Sequence, residues 1–187
     1  LRLPLPPMRI ATWNVNSIRM RLEQVTNWLQ RERPDVLCLQ ETKVEDGSFP
    51  TAAFTALGYA VAISGQKAYN GVAILSLLPL EQVRIGYGAL LPDDPEAVAL
   101  DEQKRVISAL VDGVRILNVY VPNGSGLKSE KYAYKLAWLG SLRRYLEAQE
   151  QEGVPLCMVG DFNIAGDDRD IHDPGRLSGG IMASAAE

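Results

Sequence analysis

The stretch LCMVGDFN, residues 156–163, joins an apolar run to two polar side chains through a glycine. Four apolar residues, Leu156 to Val159, read as a buried strand, and Gly160 lets the backbone turn where Asp161 and Asn163 appear. Alternate residues on an extended segment point the same way, so Asp161 and Asn163 are expected to converge on one ligand while Phe162 faces the interior. The competing reading is an Asx-rich turn that only caps the strand. Two earlier strand ends separate these readings.

The first, MRIATWNV at 8–15, is β-rich in its second half and ends at Asn14. Ser17 then precedes a helical pattern of Ile18, Leu22, Val25, Trp28 and Leu29 that stops before Pro34. The second, VLCLQ at 36–40, is apolar throughout and is followed by Glu41. A strand, helix, strand unit favours parallel neighbours, and in that arrangement Asn14 and Glu41 leave the sheet at one edge, face to face. A lone glutamate after a strand is ordinarily a solvated surface residue. Here the strands end in Asn14, in Glu41, and in Asp161 with Asn163, which favours a site.

The middle of the chain is expected to be antiparallel. Tyr59 to Ser64, Val72 to Ser76, Leu80 to Ile85, Val106 to Val111 and Val114 to Val121 are short β-prone runs, and Asp112-Gly113 is a dipeptide favoured in two-residue hairpins. Tyr120 closes the run ILNVY and points to the same edge. Ser129 to Gln151 is the longest helical stretch. Its stripe Tyr132, Leu136, Leu139, Leu142 and Leu146 is expected to be core, with Lys131, Lys135, Arg143 and Arg144 as its solvated flank.

Composition bounds the class. With 187 residues, of which 47% are hydrophobic, the chain can bury a substantial core as one domain or as most of a larger one. No run approaches a membrane span, and residues 1–7 are too short and proline-rich for a secretory leader, so they read as an extension ahead of a start at Met8. Cys38 and Cys157 lie in apolar strands, as small hydrophobes of a reducing cytoplasm. The net charge of −4 argues mildly against a nucleic-acid partner. Its distribution softens the objection, because residues 1–43 carry seven basic and four acidic side chains whereas residues 44–102 carry two and eight. A basic face can coexist with an acidic total.

Hard carboxylate and carboxamide oxygens at Asn14, Glu41, Asp161 and Asn163 suit Mg²⁺, which takes one or two carboxylates and completes its shell with water and phosphate oxygens. Phosphodiester hydrolysis is the reaction implied. Asp161 orients or deprotonates a water, and Asn14, Asn163 and Tyr120 donate to phosphate oxygens. Zinc fits poorly, for want of a His or Cys cluster.

TWNVNSIR at 12–19, PDVLCLQETK at 34–43, KAYNGVAILS at 67–76, LNVYVPNG at 117–124 and VGDFNIA at 159–165 together resemble the exonuclease III-like abasic-site endonucleases of the endonuclease/exonuclease/phosphatase superfamily. The resemblance runs from Met8 onward, and KAYNG, EQKR at 102–105 and YVPNG favour the DNA-repair branch. It implies an α/β (α+β) fold, a four-layer sandwich of two facing mixed β-sheets flanked by helices. It also implies Mg²⁺- or Mn²⁺-dependent cleavage 5′ to an abasic site with 3′-end trimming, on double-stranded DNA carrying abasic or blocked 3′ ends, by a monomer. Carried over residue by residue, it makes Glu41 a metal ligand with Asn14 beside it. Tyr120, Asp161 and Asn163 become catalytic, Asn70 and Asn123 border the substrate groove, and Arg105 touches DNA.

One departure stands out, since the family pattern ends in a further aspartate and an Asp-His pair that do not occur by Glu187. The lone His172 matches a non-catalytic loop. Residues 8–187 are therefore expected to form the N-terminal and central part of one domain. By themselves they should be inactive, exposing apolar area at Leu37, Leu39, Leu75, Ile116, Val119 and Met158. Two other readings stay open: a superfamily hydrolase of small phosphate esters or lipid head groups, and a non-catalytic scaffold.

Overall fold

A computed structural model describes residues 7–187; the expected extension at 1–7 lies, Pro7 excepted, outside the described residues. Two four-stranded mixed sheets face each other. In the first, β1 (Ile10–Asn14) runs parallel to β2 (Val36–Gln40), which pairs antiparallel with β4 (Val72–Ser76), itself antiparallel to β3 (Ala60–Ser64). In the second, β5 (Glu81–Ile85), β6 (Val106–Val111) and β7 (Val114–Tyr120) are antiparallel, and β8 (Leu156–Asp161) joins β7 in parallel. Asp112 and Gly113 both take positive φ between β6 and β7, the hairpin geometry that their dipeptide favours.

Each sheet has a helical cover. The helix α1 (Ile18–Glu32) begins where the Ser17 hydroxyl accepts from the Met20 amide, and ends at Arg33, whose left-handed backbone returns its N–H to the Leu29 carbonyl ahead of Pro34. It buries Ile18, Val25 and Leu29 against Leu37, Leu39, Ala73 and Leu75, with Phe54 of α2 (Thr51–Thr55) completing that layer. On the far side, α3 (Pro95–Leu100) and α4 (Glu130–Glu150) cover Val106, Leu117 and Val119. The acidic stretch 93–102 is largely helix, with Asp94 capping α3 and pairing with Arg144.

Between the sheets lie Val36, Cys38, Val72, Ile74, Ile107, Ala109 and Ile116. One buried polar pair crosses this layer. Asn118 of β7 donates to the carbonyls of Leu39 and Ala73, both at 2.9 Å, and its own oxygen accepts from Gln40 at 2.7 Å.

Two expectations need correcting. Leu37, Leu39, Leu75, Ile116 and Val119 are fully buried because the facing sheet and the helices cover them. Among the candidates named, only Met158 stays partly open, and the exposed apolar surface runs instead along the edge strand β8, at Leu156, and beside Leu146 and Pro155. The inner face of α4 is also turned from the expected stripe. Lys135, Trp138, Leu142, Tyr145 and Gln149 are buried, while Leu136, Leu139 and Leu146 are only half-covered. The reason is aromatic packing: Trp138 and Tyr145 close on Tyr87 with ring centroids at 5.5 and 5.8 Å, and the largest side chains set the rotation of the helix.

Candidate active site

Both parallel strand pairs end at the same place. Asn14 follows β1 to its end, Glu41 follows β2, and Tyr120 and Asp161 are register partners at the ends of β7 and β8. The sandwich brings these ends together from two sheets. The Asn14 amide donates to Glu41 Oε1 at 3.0 Å and to Asp161 Oδ2 at 2.7 Å, and the Tyr120 hydroxyl donates to Glu41 Oε1 at 2.7 Å. Asn14 thereby uses both of its N–H groups to hold two carboxylates at a fixed separation, and its oxygen accepts the Asn16 amide. Glu41 Oε2 faces the Lys43 ammonium at 3.1 Å.

The turn after β8 differs from the sequence reading. Gly160 sits inside the strand, where its φ of 149° and the Val119 carbonyl, 1.9 Å from any added Cβ, leave room for no side chain. Phe162 is 37% exposed and does not face the interior. Asn163 is left-handed, with φ 47°, and so breaks the alternation that extended backbone would give. Its amide N–H donates to Asp161 Oδ1 at 3.1 Å and its side chain to the Val121 carbonyl at 2.9 Å.

Of the remaining candidates, Asn123 is exposed. Asn70 is buried, its amide spent on Gln66 at 2.8 Å and Gln103 at 2.9 Å, so it braces the loop rather than presenting a side chain. The Arg105 guanidinium lies over the Tyr120 ring, 4.4 Å from its centroid, and donates to the Tyr120 carbonyl. His172 is exposed and shares a shallow cleft with Asp161 and Asn163.

A model of the endonuclease/exonuclease/phosphatase family matches residues 11–182. The chain belongs to this family. It is 34% identical to exodeoxyribonuclease III of Haemophilus influenzae over 88% of the chain and 60% of that protein. To the DNA repair nuclease APEX1 of Danio rerio it is 31% identical, over 89% of the chain and 52% of that protein. The chain thus spans between half and two thirds of the length of these relatives. Among solved structures, the 3′ phosphatase NExo from Neisseria bound to product DNA hairpin superposes with a TM-score of 0.86 at 44% identity, covering 96% of this chain and 66% of that one. An AP endonuclease from Archaeoglobus fulgidus gives 0.82, also at 44%, covering 91% and 63%. The four-layer α/β sandwich is therefore the fold of a superfamily of metal-dependent nucleases.

The donor set suits a hard cation of the kind that this endonuclease/exonuclease/phosphatase family uses. Glu41 Oε2 already faces a positive charge, and no group of three or more His, Cys, Asp or Glu side chains able to hold a metal occurs among the described residues. The Asn14 amide turns its N–H groups rather than its oxygen toward Glu41 and Asp161, so the oxygen ligands on offer are the two carboxylates, a Mg²⁺-like rather than zinc-like set.

Partial burial on its own would raise the Glu41 carboxyl, but hydrogen bonds from Asn14, Tyr120 and Lys43 outweigh it and hold it below the ordinary glutamate value. A carboxylate whose folded value is depressed contributes stability that is complete above the unfolded value of about 4.3 and fades as pH falls through the folded value. The melting-temperature gap between the protein and its Glu41→Gln variant is therefore expected to be constant near neutrality and to narrow below about pH 4.3. A gap that widens on acidification would mean that Glu41 is not stabilised as the anion. Burial first, then acceptance by Glu41, pushes the Tyr120 phenol well up, so it donates as a neutral hydroxyl.

The sequence reading missed Lys43, Asn16 and Lys135. Lys43 stood inside the quoted run LQETK, and both its charge and its nearness to Glu41 were available signals. Nothing in the sequence showed that Asn16, Ser17, Glu41, Lys43, Asn70 and Asn163 would all take positive φ around one edge. Left-handed backbone at non-glycine residues costs free energy and clusters where function demands it.

Proposed function

We propose that this protein is a divalent-metal-dependent DNA-repair phosphodiesterase that cleaves DNA 5′ to abasic sites and trims 3′ ends. The observation that carries this reading is the hydrogen-bonded convergence of Asn14, Glu41, Tyr120 and Asp161 from the ends of two parallel strand pairs. Its substrate is double-stranded DNA with abasic or blocked 3′ ends, and it acts as a monomer. Free thiols at Cys38 and Cys157 suit a reducing cytoplasm.

Glu41 would hold Mg²⁺ or Mn²⁺, with Asn14 beside it, and a bound ion would supply neutralisation of charge on the scissile phosphate. Asp161 accepts a proton from the attacking water, its lone pairs aimed by the Asn14 amide and the Asn163 N–H. The neutral Tyr120 hydroxyl, on turning its one O–H from Glu41 to the substrate, and the second N–H of the Asn163 carboxamide donate to phosphate oxygens. Asn123 borders the groove. Arg105, stacked on the Tyr120 ring, touches the DNA.

The 3′ phosphatase and the 3′-5′ exonuclease from Neisseria, each 44% identical, favour a second reading in which 3′-end processing dominates. A duplex with a central abasic site and a duplex with a 3′-phosphate at a nick, each with Mg²⁺ and with excess chelator, test both. Nicking at the abasic site that vanishes in chelator supports the first reading. Release of phosphate alone supports the second, and undiminished cleavage in chelator would sink both.

A further inference from the structure

Lys135 has no solvent exposure, although it lies on a helix whose other basic side chains are at the surface. Its three ammonium protons have three acceptors. One is the Glu187 carboxylate, which also accepts the Met182 and Ser184 amides. The other two are main-chain carbonyls of the candidate site's loops, Asn163 at 2.7 Å and Asn123 at 3.5 Å. Gly124, with φ 90°, passes so close over the lysine stem that an added Cβ would meet Lys135 Cδ at 3.1 Å.

A methionine would fill this volume without the cost of taking a charge out of water. What the ammonium adds is direction. It pulls on the Asn163 carbonyl, while the N–H of the same residue donates to Asp161 Oδ1 and its side chain donates to Val121. The left-handed Asn163 is thus tied on three sides, and one of those ties aims the Asp161 carboxylate. We propose that Lys135 is a positioning residue which, through the Asn163 and Asn123 carbonyls, holds the 161–163 turn in the geometry that Asp161 needs to take a proton. This rests on the role given to Asp161 above.

The test uses three variants. Lys135→Met/Glu187→Gln removes both charges, so that no buried carboxylate is orphaned; Glu187→Gln keeps the lysine on its carbonyls; Lys135→Arg keeps charge and donors. Measured on the abasic duplex, the double variant is expected to lose about 10- to 100-fold in kcat, the penalty of a small misplacement. KM and the half-saturating Mg²⁺ concentration should stay within about twofold, because Glu41 is joined to this network only through Asn14. Glu187→Gln should stay near wild-type kcat, and Lys135→Arg should recover part of the loss. In parallel, NMR of the Asn163 amide and of the Asp161 carboxyl carbon should show both resonances displaced in the double variant and unmoved in Glu187→Gln.

Wild-type kcat in the double variant, with the Asn163 resonance unmoved, overturns the inference. So does a loss in Glu187→Gln as large as that in the double variant, since the ion pair rather than the carbonyl contact would then be responsible. If the wild-type protein leaves abasic DNA intact, the proposed function fails, and the NMR comparison still decides whether Lys135 positions the turn. Should the double variant not fold, Lys135→Gln/Glu187→Gln, which shortens the side chain away from the Asn163 and Asn123 carbonyls but keeps a polar group, carries the decision: both resonances displaced supports the inference, and both unmoved overturns it.

Discussion

Asp161→Asn is expected to lower kcat on an abasic duplex by about two to four orders of magnitude, the usual contribution of a positioned general base. The Mg²⁺ concentration giving half-maximal rate should barely move. Both oxygens of Asp161 are acceptors in use, Oδ2 for the Asn14 amide and Oδ1 for the Asn163 N–H. An asparagine there must turn its own NH₂ toward one of those donors, so it loses the base and also unsettles one neighbour. Glu41→Gln should behave differently. Glu41 Oε1 takes hydrogen bonds from Asn14 and Tyr120 and Oε2 faces Lys43, so a glutamine fits poorly and removes the charge that a cation needs. Its defect should be relieved in part by added Mg²⁺, and that of Asp161→Asn should not. Equal losses repaired equally by metal would show that the two carboxylates share one role.

The contrast between these neighbours shows how far the residues could be read. Strand ends were legible because they depend on local pattern: apolar runs stop at Asn14, Glu41, Tyr120 and Asp161, and the strand, helix, strand unit requires β1 and β2 to be parallel. From that alone Asn14 must face Glu41, and the two are hydrogen-bonded. The direct Asn14 to Asp161 bond depends instead on how two sheets dock, which periodicity does not encode. Likewise the rotation of α4 follows from three aromatic rings that meet only in the folded chain, which is why Lys135 looked like a surface residue. Asn163 and Phe162 were misplaced for a backbone reason, since one residue at φ 47° cancels the period-two rule on which their directions were argued.

Sheet docking has its own polar determinant, and its removal is expected to have the largest effect on stability. Asn118→Ala would strip donors from the buried Leu39 and Ala73 carbonyls, whereas the Gln40 amide would lose its 2.7 Å acceptor but keep Thr12 and Cys38. Each buried polar group left unpaired costs about 1–3 kcal/mol, so the variant should lose about 3 kcal/mol or more in urea unfolding, with the slope little changed. Asn118→Asp, nearly isosteric, should be worse. The oxygen replacing Nδ2 would face both carbonyls to which the amide donated, and burial would raise the carboxyl's pKa, so the penalty should grow as pH climbs from the unfolded aspartate value of about 3.9 to that raised value and level off above it. The damage should also reach the chemistry, because Asn118 lies two residues before Tyr120 and Gln40 immediately precedes Glu41. At temperatures where the variant is still folded, nicking should therefore fall along with stability. An Asn118→Ala protein that unfolds within 1 kcal/mol of the wild type and nicks at an unchanged rate would show that apolar contacts alone set the docking of the two sheets.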